Sequence, residues 1–587
     1  MATVGDSELV RLAAAQRAEL FPVFRRIVSF GPLVVLLAVV PGLYALIENP
    51  DLPDLGALWG LKSIEVLTGD GLGSRLDPPS APELRWQNPL GSWLTAASMW
   101  IIGPSRPLSL ILVGYLAHAA VVGSCFVLTR RLFDERFGFW VTVMLACHGP
   151  FLQQIDNPVP NALGLWLGIV ALWGFVAHLD EGEGVVSWYL LAGGVALGAC
   201  LISGGPLALA VTLVLLLYVL SLRGEQVQTK RAETVVRKRF WVGRPALKSL
   251  AAWILTGFAV GGWWVLMMSS YYGSEFRSAW LMGRQFVQHV PSEWTGVASR
   301  LLDQLGLLAG FVFLGIWQTA RELLLSDDET RRRPLYFLVA WAGVGLLVWQ
   351  AAPRLGAAPN VIDVWASFFV LAFITLAAVG VESIVARRFS VWQVAAVVTA
   401  AIGVQAAHRT DATVVPAIWL GLGIFVVGTA SWGLQRWCGH REPRRRQMLS
   451  ALVIAPILAN AWLGLAAVRS EHDGHDDLRW FAQGVAGVNH IGVCLIVSAD
   501  PPPPQLSFSA RSLWPDAQVE LIEQWDQAAD MLLADALESN QPVLLVEWGS
   551  RESKLANMRV DSVEIEQIAQ PRQLRSRELK TFLLKPR

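Results

Sequence analysis

Runs of about twenty apolar residues, separated by short polar clusters, set the pattern of this chain. A helix of that length crosses roughly 30 Å of hydrocarbon, and in lipid it satisfies its own backbone hydrogen bonds. The runs predict spans near 27–47, 107–128, 137–153, 159–178, 186–203, 206–222, 249–269, 303–321, 335–352, 361–385, 391–407, 413–433 and 448–468, about thirteen in all. From residue 469 the pattern changes. Ile491–Ser498, Val519–Ile522 and Pro542–Trp548 read as short strands, and Trp525–Leu537 has helical spacing. Asp500 and the four prolines after it predict a stiff loop. Strand–helix–strand alternation implies a small α/β domain, without a Gly-rich phosphate loop or a nucleophile elbow.

The expected fold is therefore an all-α polytopic membrane domain plus a small C-terminal α/β domain. Residues 1–26 form an N-terminal segment, 27–468 the membrane domain and 469–587 the tail. Composition narrows the class. Of 587 residues, 54% are hydrophobic and 16% charged, whereas soluble domains carry about a quarter charged residues; a soluble enzyme and a disordered chain are excluded. Many of the 27 tryptophans lie near the ends of apolar runs, where an amphipathic ring suits the membrane interface. Lys+Arg 47 against Asp+Glu 47 leaves no net charge, so nothing points to nucleic acid as a partner. With the N-terminus in the cytoplasm, the inner segments hold 26 Lys and Arg, the outer segments 9 and the tail 12. That bias predicts a multi-pass protein of the plasma (inner) membrane with its tail extracytoplasmic. Lys230–Arg239 and Arg444–Arg446 then read as topology anchors. The N-terminus lacks a cleavable signal pattern, and the five cysteines show no metal or disulfide spacing.

Two outer loops, 48–106 and 270–302, exceed what connection requires. Asp54–Leu67 places Leu55, Leu58, Trp59, Leu61, Ile64 and Leu67 at helical spacing, a helix suited to lie on the membrane. Asp51 and Asp54 precede or open it, where a helix N-terminus favours carboxylates. Asp54 reads either as an N-cap or as a reactive carboxylate. The second loop carries Arg277, Arg284 and His289 among aromatics, either phosphate-holding groups or solvated interfacial ones. Glu48, Asp51 and Asp54 together leave a divalent metal open as a cofactor. His472–Asp477 reads as a polar linker rather than a metal site, and Gly69–Gly73 as a turn. His118, inside an apolar run, is a packing group or a proton relay. Gly193-Gly194 and Gly261-Gly262 predict close helix packing.

The order of landmarks resembles a known family. An amphipathic first loop opened by Asp is followed by a Pro-Leu element, then TRRLFDERFG, CHGPFLQQ and LAGGVALGACLISGGPLALAVTLVLLLYVL. The series is similar to the multi-spanning, lipid-sugar-dependent glycosyltransferases that include bacterial aminoarabinose transferases and protein O-mannosyltransferases. The likeness runs over about residues 25–300. It implies a membrane enzyme of the C-type glycosyltransferase fold, a polyprenyl-phosphate sugar donor held at the lipid boundary, an extracytoplasmic acceptor and inversion at the anomeric carbon. The family's catalytic Asp corresponds to Asp54, with Leu55 where the family has Glu. Its Lys-Pro-Pro-Leu element corresponds to Gln87-Asn88-Pro89-Leu90, and its Thr-Lys-Gly-Pro turn to Ser203-Gly204-Gly205-Pro206, so both family lysines are replaced. The Asp after the third span corresponds to Asn161, with Asp156 nearby. The resemblance thus implies Asp54 as general base and Asp51, Glu83, Arg85, Gln87, Asp156, Asn161, Arg277, Arg284 and Arg354 as substrate-binding residues, the arginines standing in for the lost lysines. Two other functions compete: a catalytically silent relative that binds a lipid or envelope partner, and a transporter or flippase.

Overall fold

The computed structural model describes residues 54–69, 89–104, 107–148, 161–181, 187–222, 244–282, 304–326, 329–354, 359–386, 453–460, 491–498, 504–514, 517–522, 527–539, 541–548, 563–574 and 577–586, with isolated positions between them. These fall into two compact units. One joins residues 44–116, 155–160 and 468–587; the other holds 117–154, 161–467 and the N-terminal 43 residues.

In the first unit, α1 (Asp54–Thr68) occupies the segment whose spacing predicts a helix. Of its apolar positions, Trp59, Leu61 and Ile64 are buried in protein. Leu61 and Ile64 pack with Met99 of α2 (Pro89–Ile102) and with Leu110 and Ile111 at the start of α3 (Pro107–Leu132). The tail adds β1 (Val493–Ser498), α13 (Pro504–Leu513), β2 (Gln518–Ile522), α14 (Gln527–Glu538), β3 (Val543–Trp548), β4 (Val563–Leu574) and β5 (Arg577–Pro586), the numbers α4–α12 belonging to the second unit. The three expected strands are present, and they form a parallel β2-β1-β3 core. β5 and then β4 extend it antiparallel to give the order β2-β1-β3-β5-β4. Period-two alternation sends Cys494, Ile496, Leu544 and Val546 to one face, under Leu506 and Ala510 of α13. Val493, Leu495, Val497, Val543 and Leu545 face Leu533 and Ala536 of α14 on the other. Burial pushes the Cys494 thiol up to about 12, so it is inert within the folded sheet. Helix α13 begins at Pro504, the last residue of the expected loop: proline has no N–H to lose at a first turn.

The second unit is helical. After α3 come α4 (Glu135–Ala146), α5 (Asn161–Glu181), α6 (Trp188–Gly204), α7 (Leu207–Ser221), α8 (Arg244–Gly257), α9 (Trp263–Met282), α10 (Ala309–Leu325), α11 (Glu329–Arg354) and α12 (Pro359–Val385). Among the described residues, five helices are long and apolar enough to span a membrane: Leu108–Leu132, Ala162–Glu181, Ala246–Ser274, Gly306–Leu325 and Ser367–Val385. The chain is a multi-pass membrane protein. Helix α8 continues through a π-turn (Phe258–Gly262) into α9, which reaches Met282 past a non-helical Gly273. The first part of the expected loop 270–302 is therefore helical.

Small residues set the packing, as the paired glycines predict. A Cβ on Gly174 would stand 2.7 Å from the Cα of Gly193, and one on Gly164 equally close to Gly204, so α5 and α6 touch backbone to backbone. A Cβ on Gly194 would meet Thr256 of α8 at 2.7 Å. The TRRLFDERFG landmark also has a physical role. Asp134 caps α4 by accepting from the Phe137 N–H at 2.7 Å, and Arg131 donates to Asp180 and to the Ala177 carbonyl at the end of α5, both at 3.1 Å. Nearby, His178 binds Ser187 Oγ at 2.8 Å and Ser249 Oγ at 2.9 Å, tying α5 to the starts of α6 and α8.

Candidate active site

Asp54 is the first residue of α1, where the free N–H groups and the helix dipole favour an anion. The rest of the helix is firmly held. Trp59, Leu61, Lys62, Ser63 and Ile64 are buried, and the Ser63 hydroxyl donates to the Trp59 carbonyl at 2.8 Å. Lys62 is only 1% exposed, with its ammonium 5.2 Å from the centroid of the Trp59 ring. That places a sheltered cation on the helix that Asp54 opens. On another side of α1, Glu65 Oε1 accepts from Arg511 Nη1 of α13 at 3.1 Å. The segment that holds α1 and the tail thus meet through one helix pair inside one unit.

Of the other expected residues, Asn161 opens α5, Arg277 lies in α9 and Arg354 ends α11. Their side chains, like that of Asp54, lie outside what is described. Asp51, Glu83, Arg85, Gln87, Asp156 and Arg284 fall outside the described residues, as do Glu48, His289 and the His472–Asp477 stretch.

The Ser203–Pro206 turn, which the resemblance sets against a lysine-bearing one, joins α6 to α7. Gly205 has φ +54, and Gly204 packs against Gly164 so closely that a Cβ on it would come within 3.3 Å of the Gly164 Cα. Gly204 therefore serves helix contact.

A second polar cluster, absent from the sequence expectations, sits where α4 ends. His148 is 2% exposed; its Nδ1 accepts from the Phe151 N–H at 3.2 Å and its Nε2 meets the Gln304 carbonyl. Buried Asn460 donates to the Cys147 carbonyl at 3.2 Å and accepts from the Leu307 N–H at 3.3 Å. The available signal was an amide and an imidazole within apolar runs, which in a membrane are retained only when paired. His118 packs edge-on to Phe151, ring centroids 5.2 Å apart, as a packing group would.

Against known proteins, the same architecture recurs. The crystal structure of ArnT from Cupriavidus metallidurans bound to undecaprenyl phosphate superposes with TM-score 0.57 at 14% identity, over 94% of this chain and 97% of that one. Its apo form gives TM-score 0.58 at 16% identity over the same shares. The fold is that of ArnT. Residues 82–236 also match the sequence profile of the dolichyl-phosphate-mannose-protein mannosyltransferase family. That segment contains the TRRLFDERFG and CHGPFLQQ landmarks and the Ser203–Pro206 turn. No curated protein sequence matches the chain.

Proposed function

We propose that this chain is a membrane glycosyltransferase that moves a sugar from a polyprenyl-phosphate donor to an extracytoplasmic lipid, glycan or protein acceptor. The observation that carries the reading is the fold, shared along nearly the whole chain with a protein crystallised with undecaprenyl phosphate. In the proposed step, the Asp54 carboxylate takes the proton of the acceptor hydroxyl as its oxygen bonds to the anomeric carbon. The bond from that carbon to the phosphate oxygen breaks, and the polyprenyl phosphate leaves with the electron pair. Cations drawn from Arg85, Arg277, Arg284 and Arg354 neutralise the departing phosphate in place of the family's lysines. Asp51, Glu83, Gln87, Asp156 and Asn161 orient donor and acceptor. In-line displacement inverts the anomeric carbon.

The test is transfer of label from a radiolabelled polyprenyl-phosphate sugar by the purified protein. The wild type transfers, and Asp54→Asn loses about two to four orders of magnitude in rate, the range a general base supplies. Equal transfer by both removes Asp54 from the role.

A second reading is favoured by one feature. The Ser203–Pro206 turn carries no cation and its Gly204 is committed to packing, as in a relative that binds the lipid without reacting. Saturable polyprenyl-phosphate binding with no transfer from any donor identifies that case.

A further inference from the structure

Helix α2 is built inside out. Its 14 residues, PLGSWLTAASMWII, include no charged side chain. The face it turns into the protein carries the hydroxyls of Ser92, Thr95 and Ser98 beside Gly91 and Ala96. The face it turns away carries Leu94, Ala97, Trp100 and Ile101, spaced to fall on one side of a helix, with Trp100 79% and Ile101 75% exposed. A helix on an aqueous surface has the opposite arrangement, with its polar residues outward and its bulky apolar ones inward. The medium that suits this face is hydrocarbon.

The helix does not cross a bilayer: 14 residues rise about 21 Å, against roughly 30 Å of hydrocarbon. Its depth follows from what it packs on. Met99 meets Leu110 and Ile111 in the first turns of α3, and α3 is long and apolar enough to span from Leu108. Leu110 and Ile111 lie about 5 Å along the axis from the start of α3, within the roughly 5–10 Å to which an interfacial helix sinks its apolar side.

We propose that α2 is an interfacial helix whose Leu94, Ala97, Trp100 and Ile101 face is immersed in the acyl chains of the leaflet where α3 begins. Spacing along the chain gives the place on the membrane to α1, but Leu61 and Ile64 of α1 pack against Met99, on the opposite side of α2 from its exposed face. Helix α2 then tethers α1 to the hydrocarbon boundary, the level at which a lipid-linked donor presents its head group. That consequence rests on the glycosyltransferase reading; the immersion does not.

The test uses full-length wild-type protein in vesicles of phosphatidylethanolamine and phosphatidylglycerol whose lipids carry a diazirine midway along one acyl chain. After photolysis and peptide mass spectrometry, adducts are found on Leu94, Trp100 and Ile101 and are absent from Ser92, Thr95 and Met99. Leu116, 56% exposed within the span of α3, is the internal standard. A labelled Leu116 beside an unlabelled α2 overturns the proposal. Independently, a spin label on Ala97→Cys in an otherwise cysteine-free background relaxes with oxygen dissolved in the bilayer and not with a nickel chelate in the water. Relaxation by nickel instead means that water covers the face, and relaxation by neither means that a second copy or another protein does; both overturn the proposal. Neither readout depends on sugar transfer, so an inactive protein leaves the test intact.

Discussion

Asn460 and Gly306 show how a single position can be forced by two constraints at once. Gly306 has φ +54, and a Cβ there would run into Asn460 Oδ1. Gly273 has φ +56 with open space around its missing Cβ. Backbone strain alone costs about 1–3 kcal/mol for a side chain in such a conformation. Gly306→Ala adds displacement of an amide that serves two partly buried backbone groups, about 1 kcal/mol or more. Thermal unfolding in detergent therefore places Gly306→Ala well below Gly273→Ala, and in an Asn460→Ala background the two alanine substitutions become alike. Equal midpoints in the native background refute the collision. Polar positions of this kind are only half legible in sequence. An asparagine in ILANAWL and a histidine in ACHGPF announce that they have partners, but the partners are 313 and 156 residues away along the chain. Lys62 is harder still: a lone lysine in an amphipathic helix reads as its solvated edge, yet it is buried with its ammonium beside the Trp59 ring.

Between elements, the contact of α1 with α13 couples the helix that Asp54 opens to the tail. Glu65 and Arg511 are both partly exposed, with side-chain exposures of 14% and 31%, so solvent screens the pair. A coupling of about 0.5–1 kcal/mol is expected from a double-mutant cycle on Glu65→Ala and Arg511→Ala. Read as amide exchange in residues 504–513, that is roughly a two- to fivefold faster opening in either single variant. Lack of further acceleration in the double variant shows the shared bond, and the difference shrinks in 1 M salt. Additive effects would mean the two side chains act separately. This pairing was invisible beforehand, because the apolar stripe of α1 satisfies a membrane surface and a protein surface equally well. The parallel strands were legible for the opposite reason. IGVCLIVS and PVLLVEW are buried on both faces and read as continuous apolar runs, whereas β4, VEIEQIAQPRQL, is an edge strand whose Pro571 and charges mimic a loop.

For the molecule as a whole, that same contact restricts topology more tightly than hydropathy does. If α1 and α13 lie in one compact unit, the loop after the first span and the tail share one side of the membrane. The chain between them must then cross an even number of times. The thirteen expected spans place twelve crossings between these segments, which satisfies the condition; reading the short run at 137–153 as a surface helix, or merging the pair around Gly204, would break it unless a second span changed too. The charge count sets the absolute direction, with 26 Lys and Arg on the N-terminal side and 9 on the other before the tail. Alkaline phosphatase fused after Arg587 is therefore active, green fluorescent protein at the same place is dark, and a small epitope inserted in the Gly69–Gly73 turn is reached by antibody from the outer face of intact spheroplasts. Reporters at the two places that disagree in side refute the α1–α13 contact. Agreement on the cytoplasmic side keeps the contact and the even parity but inverts the protein, putting Asp54 where an extracytoplasmic acceptor never arrives.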